Sequence, residues 1–232
     1  MKLTKLSAAV LAAGMMFSAA AQAEGEAFTT AGSLAITSDY LYRGVSQSSN
    51  TAAIQGSMTL NHSSGFYATV WGSSIAFSQG LELDPAIGYT GSAGDVTYDV
   101  GVLRYGYPGD SDINPFTEVY GSVSMSGAKL GLAYSDDFFG ETGESIYVYL
   151  SYGKEIAGLN FSAYAGVNMF DEIDVADGYV DYKVAVSKAV SGITFEAAYV
   201  GSDLSDDDCL AFSAIDDTLC EGRAVFTASK SF

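Results

Sequence analysis

Leu159 to Phe170 reads LNFSAYAGVNMF, and its apolar residues fall on every second position. Leu159, Phe161, Ala163, Ala165, Val167 and Met169 share one face; Asn160, Ser162, Tyr164, Gly166 and Asn168 share the other. A period of two is the signature of a strand with two different surroundings. The run is twelve residues long, whereas strands of soluble proteins average about five or six. That length suits a tilted strand crossing a bilayer.

The same pattern recurs outward in both directions. Ile146, Val148, Leu150 and Tyr152 oppose Tyr147, Tyr149 and Ser151, and Val180, Tyr182, Val184 and Val186 oppose Asp181, Lys183 and Ser187. Twelve strands are expected, over 32–43, 51–62, 66–77, 81–91, 95–107, 115–126, 128–139, 145–156, 159–170, 179–190, 193–203 and 222–232. Short connections such as His62-Ser63-Ser64-Gly65, Ala157-Gly158 and Ser191-Gly192 alternate with longer ones, the longest being 203–222; 77–81 is brief for a long loop. The expected fold is all-β: a 12-stranded antiparallel transmembrane barrel with short periplasmic turns and longer external loops. Periodicity alone does not distinguish inside from outside; strand length and loop alternation decide it. A soluble secreted β-protein is the rival fold, and it has no need of either.

The stretch GRAVFTASKSF, 222–232, continues the alternation, with Ala224, Phe226, Ala228 and Phe232 on one face. An open sheet edge in hydrocarbon would leave unpaired N–H and C=O groups. This strand is therefore expected to pair with the first up to its end. Phe226 and Phe232 also resemble the assembly signal of bacterial outer-membrane proteins. Lys230 departs from it, lying on the apolar face, where its stem can reach along lipid toward water.

Residues 1–23 have a basic start (Lys2, Lys5), an apolar stretch and Ala21-Gln22-Ala23, the pattern of a cleaved signal peptide. Residues 24–232 form one domain. With 10 basic against 28 acidic residues the net charge is −18, which argues against nucleic acid as a partner. Cys209 and Cys220, in an acidic segment of an exported chain, are expected to form one disulfide.

The stretch SDYLYRGVSQS, 38–48, resembles the N-terminal signature of the TorF-type porin-like proteins, also grouped as uncharacterised Gcw-type outer-membrane proteins. Gly-Phe-Tyr-Ala at 65–68, Trp71-Gly72-Ser73 and Ile87-Gly88-Tyr89 extend the resemblance. It implies an outer-membrane barrel with a pore role and no defined substrate.

The polar faces carry Asp39 and Arg43 on the first strand, then Glu82, Asp84, Asp99, Glu118, Asp181, Lys183 and Glu196. Charges there are tolerated when they face a wet lumen or one another. Two readings stand: a carboxylate-lined channel for small polar solutes or ions, leaning toward cations, or a plugged barrel acting through its acidic external loops. In the second, Asp39, Arg43, Asp181 and Lys183 would form a salt-bridge network. Arg104 alternates onto the apolar side and is expected at the rim or on a bulge. The acidic loops at 171–177 and 203–221 lack the EF-hand ligand order and read as solvated surface. His62 is the only histidine and lies beside Ser63 and Ser64 in a turn, so no enzyme activity is expected. No metal or cofactor is expected. The expected partners are outer-membrane lipid and lipopolysaccharide, the barrel-assembly machinery and small solutes.

Overall fold

A computed structural model describes residues 27–110, 113–139, 143–171, 178–213 and 216–232. The expected leader, 1–23, and most of the acidic stretch 171–177 lie outside the described residues.

Twelve strands close into one antiparallel barrel. They are β1 (Phe28–Thr37), β2 (Ala53–His62), β3 (Phe66–Ser74), β4 (Leu81–Ala93), β5 (Val96–Arg104) and β6 (Thr117–Met125). The ring continues with β7 (Ala128–Ser135), β8 (Ser145–Ile156), β9 (Leu159–Phe170), β10 (Gly178–Val190), β11 (Ile193–Ser202) and β12 (Arg223–Ser231). Each pairs with its neighbour in sequence, and β12 returns to β1. Three of the short turns, Ser126-Gly127, Ala157-Gly158 and Ser191-Gly192, have positive φ at both residues. That is the type I′ geometry whose twist matches a hairpin.

The seam runs from Thr37↔Thr227 to Ser33↔Ser231. Beyond it, the Gly32 N–H donates to the Phe232 carbonyl at 2.8 Å, and the Phe232 N–H donates to the Gly32 carbonyl at 3.0 Å. The pairing thus reaches Phe232, as the closure argument requires. A side chain at position 32 would meet the Phe232 ring and displace it.

Outward positions are apolar and exposed: Ile36, Ile54, Met58, Ile87, Val119, Leu150, Val184 and Phe226 among them. Water would solvate so continuous a belt poorly, and hydrocarbon suits it. Outward-facing aromatics lie toward both ends: Phe66 and Tyr89 meet edge to face at 5.0 Å near the short turns, and Tyr182 stacks on Tyr199 at 6.3 Å nearer the long loops. Inward positions are mostly polar, aromatic or small, with Leu103 and Val225 among the exceptions. Tyr120 lies across Gly101 and Tyr149 across Gly131, where any side chain on the glycine would collide with the ring.

Four strands stop short of their expected long-loop ends: β1 at Thr37 rather than 43, β3 at Ser74 rather than 77, β5 at Arg104 rather than 107, β7 at Ser135 rather than 139. β1 also begins earlier than expected, at Phe28. Alternation persists past these ends because the following residues turn inward and bury. Tyr105, Phe116 and Phe138 form one aromatic cluster, with Tyr105 stacked on Phe116 at 4.2 Å, and Ile75 and Tyr107 pack in another. Arg104 ends β5 at the rim, exposed, and donates to Thr117 Oγ1 at 3.2 Å.

Deleting Phe232 strips two hydrogen bonds from the seam and leaves Gly32 unpaired, a cost of about 2 kcal/mol. The folded, heat-resistant gel band should disappear at a lower temperature than in the full chain. An unchanged transition would show that the seam does not depend on its last residue.

Candidate functional site

The site is the barrel interior just inside the long-loop rim, and one loop dominates it. After Thr37 the chain follows β12 for one more residue: the Ser38 N–H donates to the Phe226 carbonyl at 2.8 Å. It then turns inward. Leu41↔Ser46 and Tyr42↔Val45 pair as a miniature hairpin, and Arg43 (φ 47°) and Gly44 (φ 82°) form its two-residue tip. This corrects the expectation that Asp39 and Arg43 lie on the first strand. A Cβ on Gly44 would lie 2.8 Å from the Gly201 carbonyl, so the tip sits hard against the wall.

Asp39 braces the base of the hairpin. Its carboxylate accepts from Ser46 Oγ (2.6 Å), Ser48 Oγ (2.8 Å) and Arg223 on β12 (3.1 Å). Arg43, 4% exposed, anchors the tip. It donates to Glu118 Oε1 at 2.5 Å and to Asn168 Oδ1 at 3.3 Å. Its guanidinium lies 4.0 Å from the Tyr147 ring centroid and 4.8 Å from that of Tyr42. A buried charge is tolerable when it is both paired and hydrogen-bonded, and this one is.

All nine expected interior residues face inward, but their pairing differs from the expected network. Arg43 pairs with Glu118, Lys183 with Glu196 at 2.6 Å, and Asp39 with Arg223. Asp181 takes its hydrogen bonds from Tyr147, Tyr164 and Asn168 instead of a cation. Asp99 accepts from the Tyr67 hydroxyl at 2.8 Å. Glu82 and Asp84 are buried on β4 beneath the hairpin, with Tyr40 and Tyr107 beside them.

Below Arg43 lies a cavity of about 100 Å³. It runs past Tyr120 and Tyr149 to Asp99 and Lys129, close to the short-turn end. Such a volume has room for about three waters. Sequence reasoning missed Arg223 and Lys129, two inward cations on strands with otherwise good alternation. Position parity on β7 and β12 was the available signal. Trp71 points inward and packs on Tyr40 at 5.3 Å. His62 Nδ1 lies 2.6 Å from Ser64 Oγ and accepts the Ser64 N–H at 3.2 Å, which closes the turn.

The longest loop covers the hairpin from outside. Cys209 and Cys220 are joined, as expected, linking α1 (Asp206–Ser213) to a 3-10 turn (Asp217–Cys220). Asp216 caps that turn, and the Thr218 N–H holds its carboxyl below the usual range. Both cysteines, with Leu219, pack on Val45 of the hairpin and on Tyr179. Asn50 Nδ2 donates to Thr218 Oγ1 at 3.1 Å.

Residues 20–232 match the family described as "Bacterial protein of unknown function (Gcw_chp)", and the chain belongs to it. That description says nothing of the TorF-type assignment or of a pore. Among solved structures, the KdgM porin is similar over 88% of this chain and 98% of its own, at 7% identity and a TM-score of 0.54. The NanC porin is similar over 87% and 98%, at 9% identity and a TM-score of 0.50. These likenesses are of fold. No curated protein matches the chain.

Arg43→Ala leaves Glu118 buried without its cation and should cost about 3 kcal/mol, read as a lowered unfolding temperature in detergent. Arg43→Lys should recover only part of it, because an ammonium cannot reproduce the planar contacts with Glu118, Asn168 and Tyr147. Full recovery by lysine would mean that charge alone holds the tip. Replacing both cysteines with serine should leave the barrel folded and make 203–222 an early site of protease cleavage.

Proposed function

We propose that this chain is an outer-membrane channel of porin type, passing small hydrophilic solutes or ions with a preference for cations. The observation that carries the reading is the interior. A membrane barrel that served only as a scaffold could fill its core with apolar and neutral side chains. This one places Asp39, Glu82, Asp84, Asp99, Glu118, Asp181 and Glu196 inside, against Arg43, Lys129, Lys183 and Arg223. Carboxylates in excess along a wet path attract cations and repel anions. That two barrels of the same fold are porins agrees with the reading.

In this reading the short turns face the periplasm and the long loops face outward, where lipopolysaccharide surrounds them. Residues 1–23 direct export, and Phe226 with Phe232 present the closing strand to the assembly machinery. The hairpin at 38–48 sets the constriction above the cavity.

A second reading rests on the same hairpin. It fills the mouth so closely that the barrel could be a plugged scaffold acting through its disulfide-closed acidic loop.

Planar-bilayer recording of the refolded protein under a salt gradient separates the two. The channel reading expects small, discrete conductance steps and a reversal potential on the cation side. Asp99→Asn and Glu196→Gln should each move that potential toward zero. Silence from protein shown to be folded, with conductance appearing only once residues 40–47 are replaced by a short glycine linker, would make the plugged scaffold the right description.

A further inference from the structure

We propose that Glu82 and Asp84 form a binding site for a hard divalent cation of the calcium class, under the hairpin at the long-loop mouth. The two carboxylates are two residues apart on the inward face of β4, with 3% and 1% of their surfaces exposed. Two carboxyls so buried can both be ionised only with compensation. Among the described residues, the three salt bridges engage Asp39, Glu118 and Glu196, and none reaches this pair. The guanidinium of Arg43 is committed to Glu118 and Asn168. Glu82 Oε2 is buried with no hydrogen-bond partner, and Asp84 Oδ1 accepts one long bond, 3.4 Å from the Gly106 N–H. Glu82 also meets the Tyr40 and Tyr107 hydroxyls, so the unused acceptor capacity lies on its Oε2.

The surroundings specify the class of occupant. The groups at hand are oxygen donors: the two carboxylates, the Tyr40 and Tyr107 phenols, and Ser73, which lies opposite Glu82 in the strand register. Oxygen donors select hard cations over zinc-like ones. Two carboxylates match a divalent charge. Calcium tolerates the irregular geometry that a strand pair and a loop can offer, whereas magnesium demands a regular octahedron. Tyr40 belongs to the hairpin and Tyr107 to the loop after β5, so an occupant would tie both to β4. The inference rests on side-chain geometry and stands whether or not the barrel conducts.

The register also supplies the assay. Trp71, the only tryptophan, sits opposite Asp84. Terbium(III), a calcium substitute, bound there should luminesce on tryptophan excitation. With the full chain folded in detergent, we expect a saturable signal that calcium displaces. Glu82→Gln and Asp84→Asn should each raise the half-saturating concentration at least about tenfold, through loss of a ligand charge. Asp206→Asn combined with Asp208→Asn should leave it unchanged. Should Glu82→Gln fail to fold, Asp84→Asn carries the comparison. No sensitised signal, or one that survives both β4 substitutions, would overturn the proposal. So would a signal lost with the loop substitutions instead, which would put the cation in solvent. Bilayer recording on the same preparation keeps the two ideas apart: binding without conductance sinks only the channel, and conductance without binding sinks only the cation site.

Discussion

The closing seam is the constraint on which everything else depends. A strand exposed to hydrocarbon cannot leave its N–H and C=O groups unpaired, because no water is present to take them. β12 must therefore find β1, and it does so up to the reciprocal pair between Gly32 and Phe232. Closure fixes the rest of the outer architecture. The outward positions become a continuous apolar surface, and the polar side chains are driven inward or to the rims.

Inward placement creates the second problem. A twelve-stranded ring encloses more space than its own side chains fill in an eight-stranded one. Part of that space is filled by tyrosines lying across inward glycines, and part by the hairpin after β1. The hairpin brings a cation of its own, and Arg43 compensates Glu118 where the wall offers carboxylates in excess. Because Arg43 lies over Tyr147 and bonds Asn168, it serves as a point of order as well as of charge. What it cannot do is serve every carboxylate. Asp181 is satisfied by phenols and an amide, and Glu82 is left with an orphan oxygen.

The strands were legible because lipid imposes a period of two over ten or more residues, and few other environments do. Strand count, turn positions and the face of nearly every residue follow from that period. The long-loop ends were not legible in the same way. Residues 38–43 alternate like a strand, with Tyr40 and Tyr42 on one side, yet they leave the wall, burying Tyr40 and half-burying Tyr42 inside. An inward loop obeys the same rule as an inward strand face, so alternation continues across the boundary and hides it. Only Gly44 hints at a turn. The pairing of charges was equally out of reach. Parity shows that Asp181 and Lys183 point inward, but Lys183 goes to Glu196 on the next strand and Asp181 to rings on β8 and β9. Partner choice depends on strand stagger and on where a loop penetrates, and neither leaves a local trace.

The seam and the hairpin share their fastening. Arg223 is the first residue of β12, the strand that closes the ring, and its guanidinium holds Asp39 at the base of the hairpin. It also donates to the Thr218 carbonyl in the disulfide-closed loop. Three features thus meet at one side chain: the closing strand, the outer cover that precedes it, and the inserted hairpin from the far end of the chain. The strand that closes the ring is the one that carries the clamp. A hairpin seated before closure would lack both Arg223 and the loop that packs on Val45. The contacts therefore couple the three: Arg223 reaches Asp39 only where β12 lies beside β1, and the disulfide-linked segment packs on the hairpin so held.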